Sequence, residues 1–378
     1  MQRHTVEFKF NVQVSRIRSS GRWWGNPALT SESSFDALGL RLVTCEKVSC
    51  TTRYMNFLLL GGTGFLGGHI AFAAVERGHQ VTCLARGNGK VPNGAEFVSS
   101  DRDRDGAYDE VAGKTWDTIV DLTSQPKHAR DAAAKLQAKH RIFVSSSSVC
   151  EDQGSISSES DSVVAPLEND YMENMGQYPA AKSACETIYR STNRSVMVVR
   201  PGLIAGYGDE TGRSGYYPWR FAHPTGENVI VPDPAFPVAM IDVKDLAGWI
   251  VESAEVGTFG TFNATGFATS LSDVFKISRE LTASEATERP CSDELLLAND
   301  VTPWMGPKSL PLWVPGEQFR NIALLDCAAA YEAGLRIRPL KETLADALRF
   351  EEERQGERLA GLSDEEEVVL RQRLEDGI

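Results

Sequence analysis

Two side chains four residues apart carry the clearest chemistry in this sequence. Tyr178 and Lys182 lie in the segment QYPAAKSACETIY, where Pro179 is well placed for the first turn of a helix. At this spacing both side chains share one face of the helix. A lysine ammonium beside a phenol favours the phenolate, which is the form that takes a proton from a hydroxyl group. The pair therefore predicts proton transfer at an oxygen whose carbon gains or loses hydride.

Because a YxxxK pair also arises by chance, its surroundings decide its meaning. The stretch RIFVSSSSVC, residues 141–150, is an apolar strand that ends in a cluster of hydroxyl groups. Such a cluster can hold a substrate oxygen beside Tyr178.

A glycine-rich turn near residue 60 supplies the element that would bring a hydride carrier to this pair. The segment LLLGGTGFLGGHI places Gly61, Gly64 and Gly67 between a short apolar run and a helical pattern that ends near Gly78. In a strand-to-helix turn, the first glycine permits the turn, the second admits a pyrophosphate and the third lets the helix approach the strand. With a second strand at residues 81–86, the pattern predicts a dinucleotide-binding βαβ unit.

The end of that second strand indicates which dinucleotide binds. NAD sites place an acid there for the ribose 2′-hydroxyl, whereas NADP sites offer arginine to a 2′-phosphate. The sequence has Ala85 followed by Arg86, which predicts a preference for NADP(H), with NAD(H) as the alternative. Asp101 is the expected partner of the adenine amino group. A solvated surface arginine is the other interpretation of Arg86.

Composition narrows the setting. The chain has 378 residues, a net charge of -13 and seven scattered cysteines. The negative charge disfavours nucleic acid, and no apolar run is long enough to span a bilayer. Cysteines and histidines form no metal-binding pattern. We expect a soluble protein of the reducing cytoplasm with a small-molecule substrate and no metal, nucleic acid or membrane partner.

The pattern also predicts how the chain is divided. Residues 1–54 lack a secretory signal and are expected to be an accessory or poorly ordered extension, or a misassigned start. The dinucleotide-binding domain is expected at 55–205 and a substrate-binding lobe at 206–350, with 238–253 returning to the first domain. Residues 351–378 are expected to form a charged helical tail.

Five motifs in order resemble one protein family. GGTGFLGGH, ARG, FVSSSSVC, YPAAK and VVRPGLIAGYGD follow one another as in the extended and atypical short-chain dehydrogenase/reductases, the NAD-dependent epimerase/dehydratase family. The resemblance covers residue 55 to about residue 350. It implies an α/β fold in which a Rossmann-type, doubly wound parallel sheet carries a smaller C-terminal substrate-binding lobe. It leaves a homodimer open.

The resemblance also implies roles for individual residues. Tyr178 becomes the acid/base, Lys182 its activator and a ligand of the nicotinamide ribose, and Ser146 the catalytic hydroxyl. Ser147 and Ser148 remain open for that role because the serine run allows a slip in register. From the motifs and the resemblance together, the residues expected to contact the dinucleotide are Gly61, Gly62, Thr63, Gly64, Phe65, Leu66, Gly67, Arg86, Asp101, Leu122, Thr123, Lys182, Pro201 and Gly202.

The substrate side is marked by aromatic and basic residues at 211–224. Ser147, Arg213, Tyr217 and Arg220 are candidates to clamp an anionic or planar substrate. The alternative is that the aromatic rings form the core of the lobe and the arginines pair with local acids.

Three functions are compatible with these observations. The first is an NADPH-dependent oxidoreductase that acts on a carbonyl, imine or alcohol of a small molecule through Tyr178, Lys182 and Ser146. Arg86 favours it, and the absence of Asp-Glu after the catalytic hydroxyl argues against dehydration. The alternatives are a sugar-nucleotide epimerase of the same family and a non-catalytic cofactor-binding or RNA-associated protein.

Overall fold

Short apolar runs form the strands of a central parallel sheet. The computed structural model describes residues 54–87, 90–192 and 195–376. Seven strands pair in parallel in the order β3-β2-β1-β4-β5-β6-β11. Their bounds are β1 Asn56–Leu60, β2 Gln80–Ala85, β3 Ala95–Ser99, β4 Thr115–Asp121, β5 Gln137–Val144, β6 Ser195–Pro201 and β11 Gly260–Ala264.

The remaining strands are short and pair two by two. They are β7 Leu203–Ala205 with β10 Met240–Asp242, β8 Asn228–Val231 with β13 Thr287–Pro290, β9 Pro237–Val238 with β12 Thr269–Ser270, and β14 Thr302–Trp304 with β15 Ser309–Pro311.

Eleven α-helices occur in the described residues. They are α1 Phe65–Glu76, α2 Asp109–Ala112, α3 Pro126–Lys135, α4 Tyr178–Arg190, α5 Tyr216–Ala222, α6 Val243–Val256, α7 Leu271–Thr282, α8 Asp293–Ala298, α9 Ala328–Glu332, α10 Leu340–Glu352 and α11 Asp364–Asp376.

Helices cover both faces of the sheet. Phe57 and Leu59 pack in one core with α1 and α6, whereas Leu58 and Leu60 pack in a second core on the opposite face. All four side chains are fully buried. Burial on both faces explains why β1 is a continuous apolar run rather than an alternating one. The predicted fold class, a doubly wound parallel sheet of the Rossmann type, is confirmed.

A separate core lies among the later elements. It is built around the helices α5 and α7 and the strand β8, and Trp313 is fully buried in it. The tail helix α11 adds Leu370 to this core, so one face of the charged tail is buried. The predicted boundaries at residues 54, 205 and 350 stay predictions, and residues 1–53 lie outside the described part of the chain.

The glycine turn between β1 and α1 depends on two close approaches. Gly61 has a φ of +97°, in the left-handed region that favours glycine. A Cβ at Gly67 would clash with the carbonyl oxygen of Gly61, and a Cβ at Gly62 would lie 2.6 Å from Cys83 Sγ. The turn therefore needs glycine for its own geometry before any ligand is considered.

No helix in the described residues combines the length and the apolar character that crossing a membrane requires.

These contacts predict opposite effects for two neighbouring glycines. Gly67→Ala should lower the free energy of unfolding by about 1–3 kcal/mol, because α1 must move away from Gly61. Gly68→Ala should be neutral or raise it by up to about 1 kcal/mol, since nothing lies within 4 Å of a Cβ there and alanine favours a helix. Urea unfolding of both variants measures the difference. Equal losses would contradict the proposed role of the Gly61 to Gly67 contact.

Candidate active site

Residues predicted to bind the cofactor or to take part in catalysis lie at the carboxyl ends of the parallel strands. Gly61 follows β1, Thr123 follows β4 and Ser146 follows β5, so all three lie at one edge of the sheet. The strand order reverses between β1 and β4, and ligands of open α/β sheets bind at such a reversal.

The helix α4 brings Tyr178 and Lys182 to this edge. Pro179 occupies its first turn, where the missing N–H costs nothing. The Lys182 side chain is 3% exposed, whereas Tyr178 is half-buried at the helix start. The Lys182 ammonium lies 5.8 Å from the centroid of the Tyr178 ring. The predicted pair is thus assembled on one helix face.

Three backbone carbonyls fix the Lys182 ammonium. Nζ donates to the carbonyl oxygens of Thr123 and Val144 at 2.8 Å each, and to that of Leu122 at 3.3 Å. An ammonium has three protons, so these carbonyls can satisfy all of them. Nζ also lies 5.1 Å from the centroid of the Phe143 ring. Lys182 is therefore a fixed positive charge beneath Tyr178.

A buried ion pair, which the sequence analysis missed, fixes the loop that supplies two of these carbonyls. Arg102 donates to both carboxylate oxygens of Asp121 at 2.8 Å, and Asp121 accepts from the Thr123 N–H at 2.9 Å. The Tyr189 hydroxyl, also on α4, donates to Asp121 at 2.5 Å. The sequence does contain a signal for this pair, because Asp121 is a charged residue at the end of a largely apolar strand.

Electrostatics keeps this carboxylate charged. Burial alone would raise the pKa of Asp121, but the Arg102 guanidinium and the hydrogen bonds from Tyr189 and Thr123 hold it below its ordinary value. The Asp121 charge is thus available at neutral pH to orient both the β4–α3 loop and α4.

The serine cluster adopts a defined orientation. Ser146 accepts hydrogen bonds from the Ser148 N–H at 3.2 Å and from the Ser148 hydroxyl at 2.9 Å. No acceptor for the Ser146 hydroxyl proton is found among the described residues, so this proton is free to reach a substrate oxygen. The turn Ser147–Val149 also contacts α4. This geometry suits the role predicted for Ser146.

The start of α1 provides a cradle for a dinucleotide. Gly64 caps this helix without a side-chain hydrogen bond, so the N–H groups of the first turn can donate to a ligand. Gly64 is exposed, and a Cβ there would meet only the Gly61 carbonyl oxygen, at 3.8 Å. A pyrophosphate fits this surface through backbone N–H groups and the helix dipole. Gly62, Leu66 and Gly67 are buried behind the turn and shape it from within.

Two predicted cofactor residues lie beyond the neighbouring strands. Arg86 is exposed at the end of β2, close enough to Asp103 to interact with it electrostatically. Asp101 stays within its own loop, where it accepts from the Asp103 N–H at 3.2 Å and pairs with Arg104 at 3.8 Å. Asp103, which was not predicted from the sequence, lies in the same loop, and its carboxylate is 2.6 Å from His128 Nε2.

The predicted residues of the second lobe separate into two groups. Tyr217 is fully buried and donates its hydroxyl to the Pro311 carbonyl at 3.0 Å. Arg220 is also fully buried and pairs with Asp364 at 2.7 Å and Glu367 at 3.4 Å. The prediction that these two side chains clamp a substrate is corrected, because both belong to the core of the lobe. Arg213, in contrast, interacts electrostatically with Tyr178.

Pro201 and Gly202 end β6 next to β11. The Gly202 N–H donates to the Ala264 carbonyl, and a Cβ at Gly202 would lie 2.7 Å from Thr265 Oγ1. This packing accounts for the glycine, and the predicted contact of Pro201 and Gly202 with a cofactor stays a prediction.

Comparison with known proteins identifies the family of this arrangement. The model of the NAD dependent epimerase/dehydratase family matches residues 57–247 of the 378-residue chain. A search of curated proteins found no match.

Solved structures share the fold at low sequence identity. WbmG from Bordetella bronchiseptica, solved in complex with NAD, is 16% identical with a TM-score of 0.60, over 81% of this chain and 96% of that one. UDP-glucuronic acid 4-epimerase from Bacillus cereus, in complex with NAD, is 12% identical with a TM-score of 0.59, over 79% and 99%. UDP-N-acetylglucosamine 4-epimerase from Methanobrevibacter ruminantium M1 is 20% identical with a TM-score of 0.59, over 80% and 99%.

Removing the Asp121 charge should damage both the fold and the site. We expect Asp121→Asn to lower the free energy of unfolding by about 3–5 kcal/mol, because Arg102 keeps a buried charge without its partner. Asp131→Asn, which breaks the more exposed pair with Lys127, should cost about 1 kcal/mol or less. Chemical unfolding at neutral pH measures both losses. A cost for Asp121→Asn no larger than that of the control would contradict the assignment.

The same substitution should change the dependence of stability on pH. Because the pKa of Asp121 is lowered in the folded protein, its contribution is complete above the unfolded value of about 3.9 and is lost as the pH falls through the folded value. Asp121→Asn should therefore lose less of its remaining stability than the wild type on acidification. Unfolding curves at neutral and acidic pH test this, and parallel losses would argue against a charged Asp121.

Proposed function

Since the chain belongs to the NAD-dependent epimerase/dehydratase family, we propose that it is an NAD(H)-dependent epimerase that acts on a sugar nucleotide. The chain is an NAD(P)-dependent enzyme of the short-chain dehydrogenase/reductase type, and the substrate class and the choice of NAD(H) are the proposal. The epimerase was the alternative in the sequence analysis, where an NADPH-dependent oxidoreductase came first.

One observation carries the catalytic part of the proposal. The Lys182 ammonium is fixed by three carbonyls and lies 5.8 Å from the ring centroid of Tyr178. Tyr178 is half-buried at the start of α4, with its hydroxyl group in reach of a ligand at the sheet edge. Tyr178 can thus take a proton from a hydroxyl group and later return it, as reversible oxidation of an alcohol requires.

The residues divide the reaction between them. The exposed Gly64 turn would hold the pyrophosphate of NAD(H), whose nicotinamide ring would supply the hydride transfer. Tyr178 removes the proton of the substrate hydroxyl group. It returns a proton to the same oxygen after the oxidised carbon has turned its opposite face towards the nicotinamide. Ser146 donates its free hydroxyl proton to that oxygen and stabilises the charge that develops there.

The compared structures support the choice of substrate and cofactor. Two of them are described as 4-epimerases of UDP-sugars, and two were solved in complex with NAD. Their identities to this chain are low, so they favour the reaction class without assigning it.

A second candidate rests on Arg86. No acid follows β2, since Ala85 and an exposed Arg86 occupy its end, and this favours an NADPH-dependent reductase. Asp103 weighs against it, because its carboxylate interacts with Arg86 and would repel a 2′-phosphate. We therefore keep the reductase second.

Loss of the Tyr178 hydroxyl tests the reaction. Tyr178→Phe should reduce interconversion of UDP-sugars by roughly a hundredfold to ten-thousandfold, with unchanged binding of NAD(H), because the acid/base is lost and the cradle is intact. Nuclear magnetic resonance of UDP-glucose, UDP-galactose, UDP-glucuronic acid and UDP-N-acetylglucosamine measures the rates. Tyr331→Phe, which removes a hydroxyl bound to the Thr265 carbonyl outside the site, is the control. A fully active Tyr178→Phe protein would rule out the mechanism.

The variant Arg86→Gln distinguishes NAD(H) from NADPH as the natural cofactor. If NAD(H) is the natural cofactor, Arg86→Gln should change NADH affinity less than about threefold. If the reductase is correct, the same change should weaken NADPH by roughly tenfold or more, because a charge-assisted pair with the 2′-phosphate is lost. Fluorescence titration of protein freed of bound cofactor with NADH and NADPH measures both affinities. A wild type that prefers NADPH and loses this preference in Arg86→Gln would move the reductase to first place.

A further inference from the structure

The segment between β7 and α5 holds Arg213 in a fixed position. The Asp209 carboxylate organises a turn in this segment by accepting from the Thr211 N–H at 3.1 Å and from the Ser214 N–H and hydroxyl at 3.0 and 2.7 Å. Arg213 Nε then donates to the Thr211 hydroxyl at 3.1 Å. Arg354 clamps the same turn by donating to the Asp209 and Glu210 carbonyls at 3.1 Å each. The position of Arg213 is therefore set before any ligand binds.

The Arg213 guanidinium packs over an aromatic ring and has no carboxylate partner among the residues that the structure describes. Its Cζ lies 5.2 Å from the centroid of the Trp304 ring. Both oxygens of the nearby Asp209 carboxylate are taken by the backbone of the turn and by hydroxyl groups. No carboxylate in the described ranges forms a salt bridge with Arg213.

The electrostatic setting of this charge is unfavourable without a ligand. Burial lowers the pKa of Arg213 from its ordinary value, and Asp209 and Tyr178 only partly oppose that effect. Five other arginines with buried or largely buried side chains contact a carboxylate directly: Arg102 contacts Asp121, Arg200 contacts Glu186, Arg220 contacts Glu367, and Arg354 and Arg358 contact Glu351. Arg213 is half-buried, and a partly desolvated charge without such a partner is costly, which favours a ligand that supplies the opposite charge.

We propose that Arg213 binds an anionic group, a carboxylate or a phosphate, that the substrate carries. The guanidinium is held by the Thr211 hydroxyl on one side and packs over the Trp304 ring on the other, so it can meet such a group without moving. Stacking on Trp304 leaves N–H groups at the guanidinium edge for a planar, bidentate pair. The substrate is then an acidic sugar or sugar phosphate rather than a neutral sugar. That the substrate is a sugar rests on the proposed function, whereas the anion site does not.

Binding to catalytically silent protein tests this independently of turnover. We would load Tyr178→Phe protein with NAD(H) and measure calorimetrically the binding of matched probes: UDP-glucuronic acid against UDP-glucose, glucuronate against glucose, and glucose 6-phosphate against glucose. The nucleotide pair and the glucuronate pair test a carboxylate, and the glucose 6-phosphate pair tests a phosphate. The Tyr178→Phe protein is compared with the double variants that add Arg213→Gln, Arg213→Lys or Arg349→Gln. Arg349 is the matched control, because it stacks on Tyr207 but pairs with Asp346.

We expect the acidic member of at least one pair to bind roughly tenfold to hundredfold more tightly, as for a charged hydrogen bond. Arg213→Gln should abolish that preference, Arg213→Lys should restore part of it and Arg349→Gln should leave it unchanged. The inference is overturned if no acidic probe binds more tightly than its neutral partner. It is also overturned if Arg213→Gln weakens UDP-glucose as much as UDP-glucuronic acid, because Arg213 would then hold the nucleotide phosphates.

Failure of the proposed function gives a different result. An anion preference that depends on Arg213, in a wild type that epimerises none of the UDP-sugars, would keep the anion site and reject the epimerase. Epimerisation without an anion preference would do the reverse.

Discussion

The buried ammonium of Lys182 is the constraint on which the site depends. A charge that is 3% exposed must be satisfied by fixed polar groups, and here three backbone carbonyls satisfy it. Those carbonyls belong to the ends of β4 and β5, so the helix α4 can pack in only one register against the sheet edge. The same register places Tyr178 over the ammonium. The packing of α4 and the proposed catalysis therefore both require the Lys182 ammonium to be bound by these carbonyls.

The Arg102 and Asp121 pair extends this requirement across the sheet. Arg102 follows β3 beside the predicted adenine site, whereas Asp121 ends β4 and is bound to the Thr123 N–H and the Tyr189 hydroxyl. The predicted cofactor edge and the helix α4 are thus joined through buried and partly buried hydrogen bonds. Such a connection resists local distortion, because separating the two charges would leave each of them buried and unpaired.

The sheet could be predicted from the sequence because it depends on short-range patterns, and similar patterns indicated the candidate catalytic residues. The apolar run at β1, the glycine spacing and the Tyr178 to Lys182 spacing are local, and the structure has the fold they indicated. Ion pairs between residues that are distant in sequence could not be predicted in this way. Arg220 resembled a substrate clamp in the sequence, but the structure shows that it pairs with Glu367, which lies far along the chain. Asp121 and Asp103 were overlooked because their partners come from other elements. Arg213 stands apart for the opposite reason, since no carboxylate partner is found for it in the described chain.

The most direct test of the account is the cofactor that accompanies the protein. Mass spectrometry of the dinucleotide released from freshly purified protein, quantified per chain, requires no knowledge of the substrate. An epimerase that returns hydride within one turnover has no need to exchange its cofactor, so the account predicts nearly one NAD(H) per chain. A site that is empty after purification and then takes NADPH much more tightly than NADH would contradict it and would indicate a reductase.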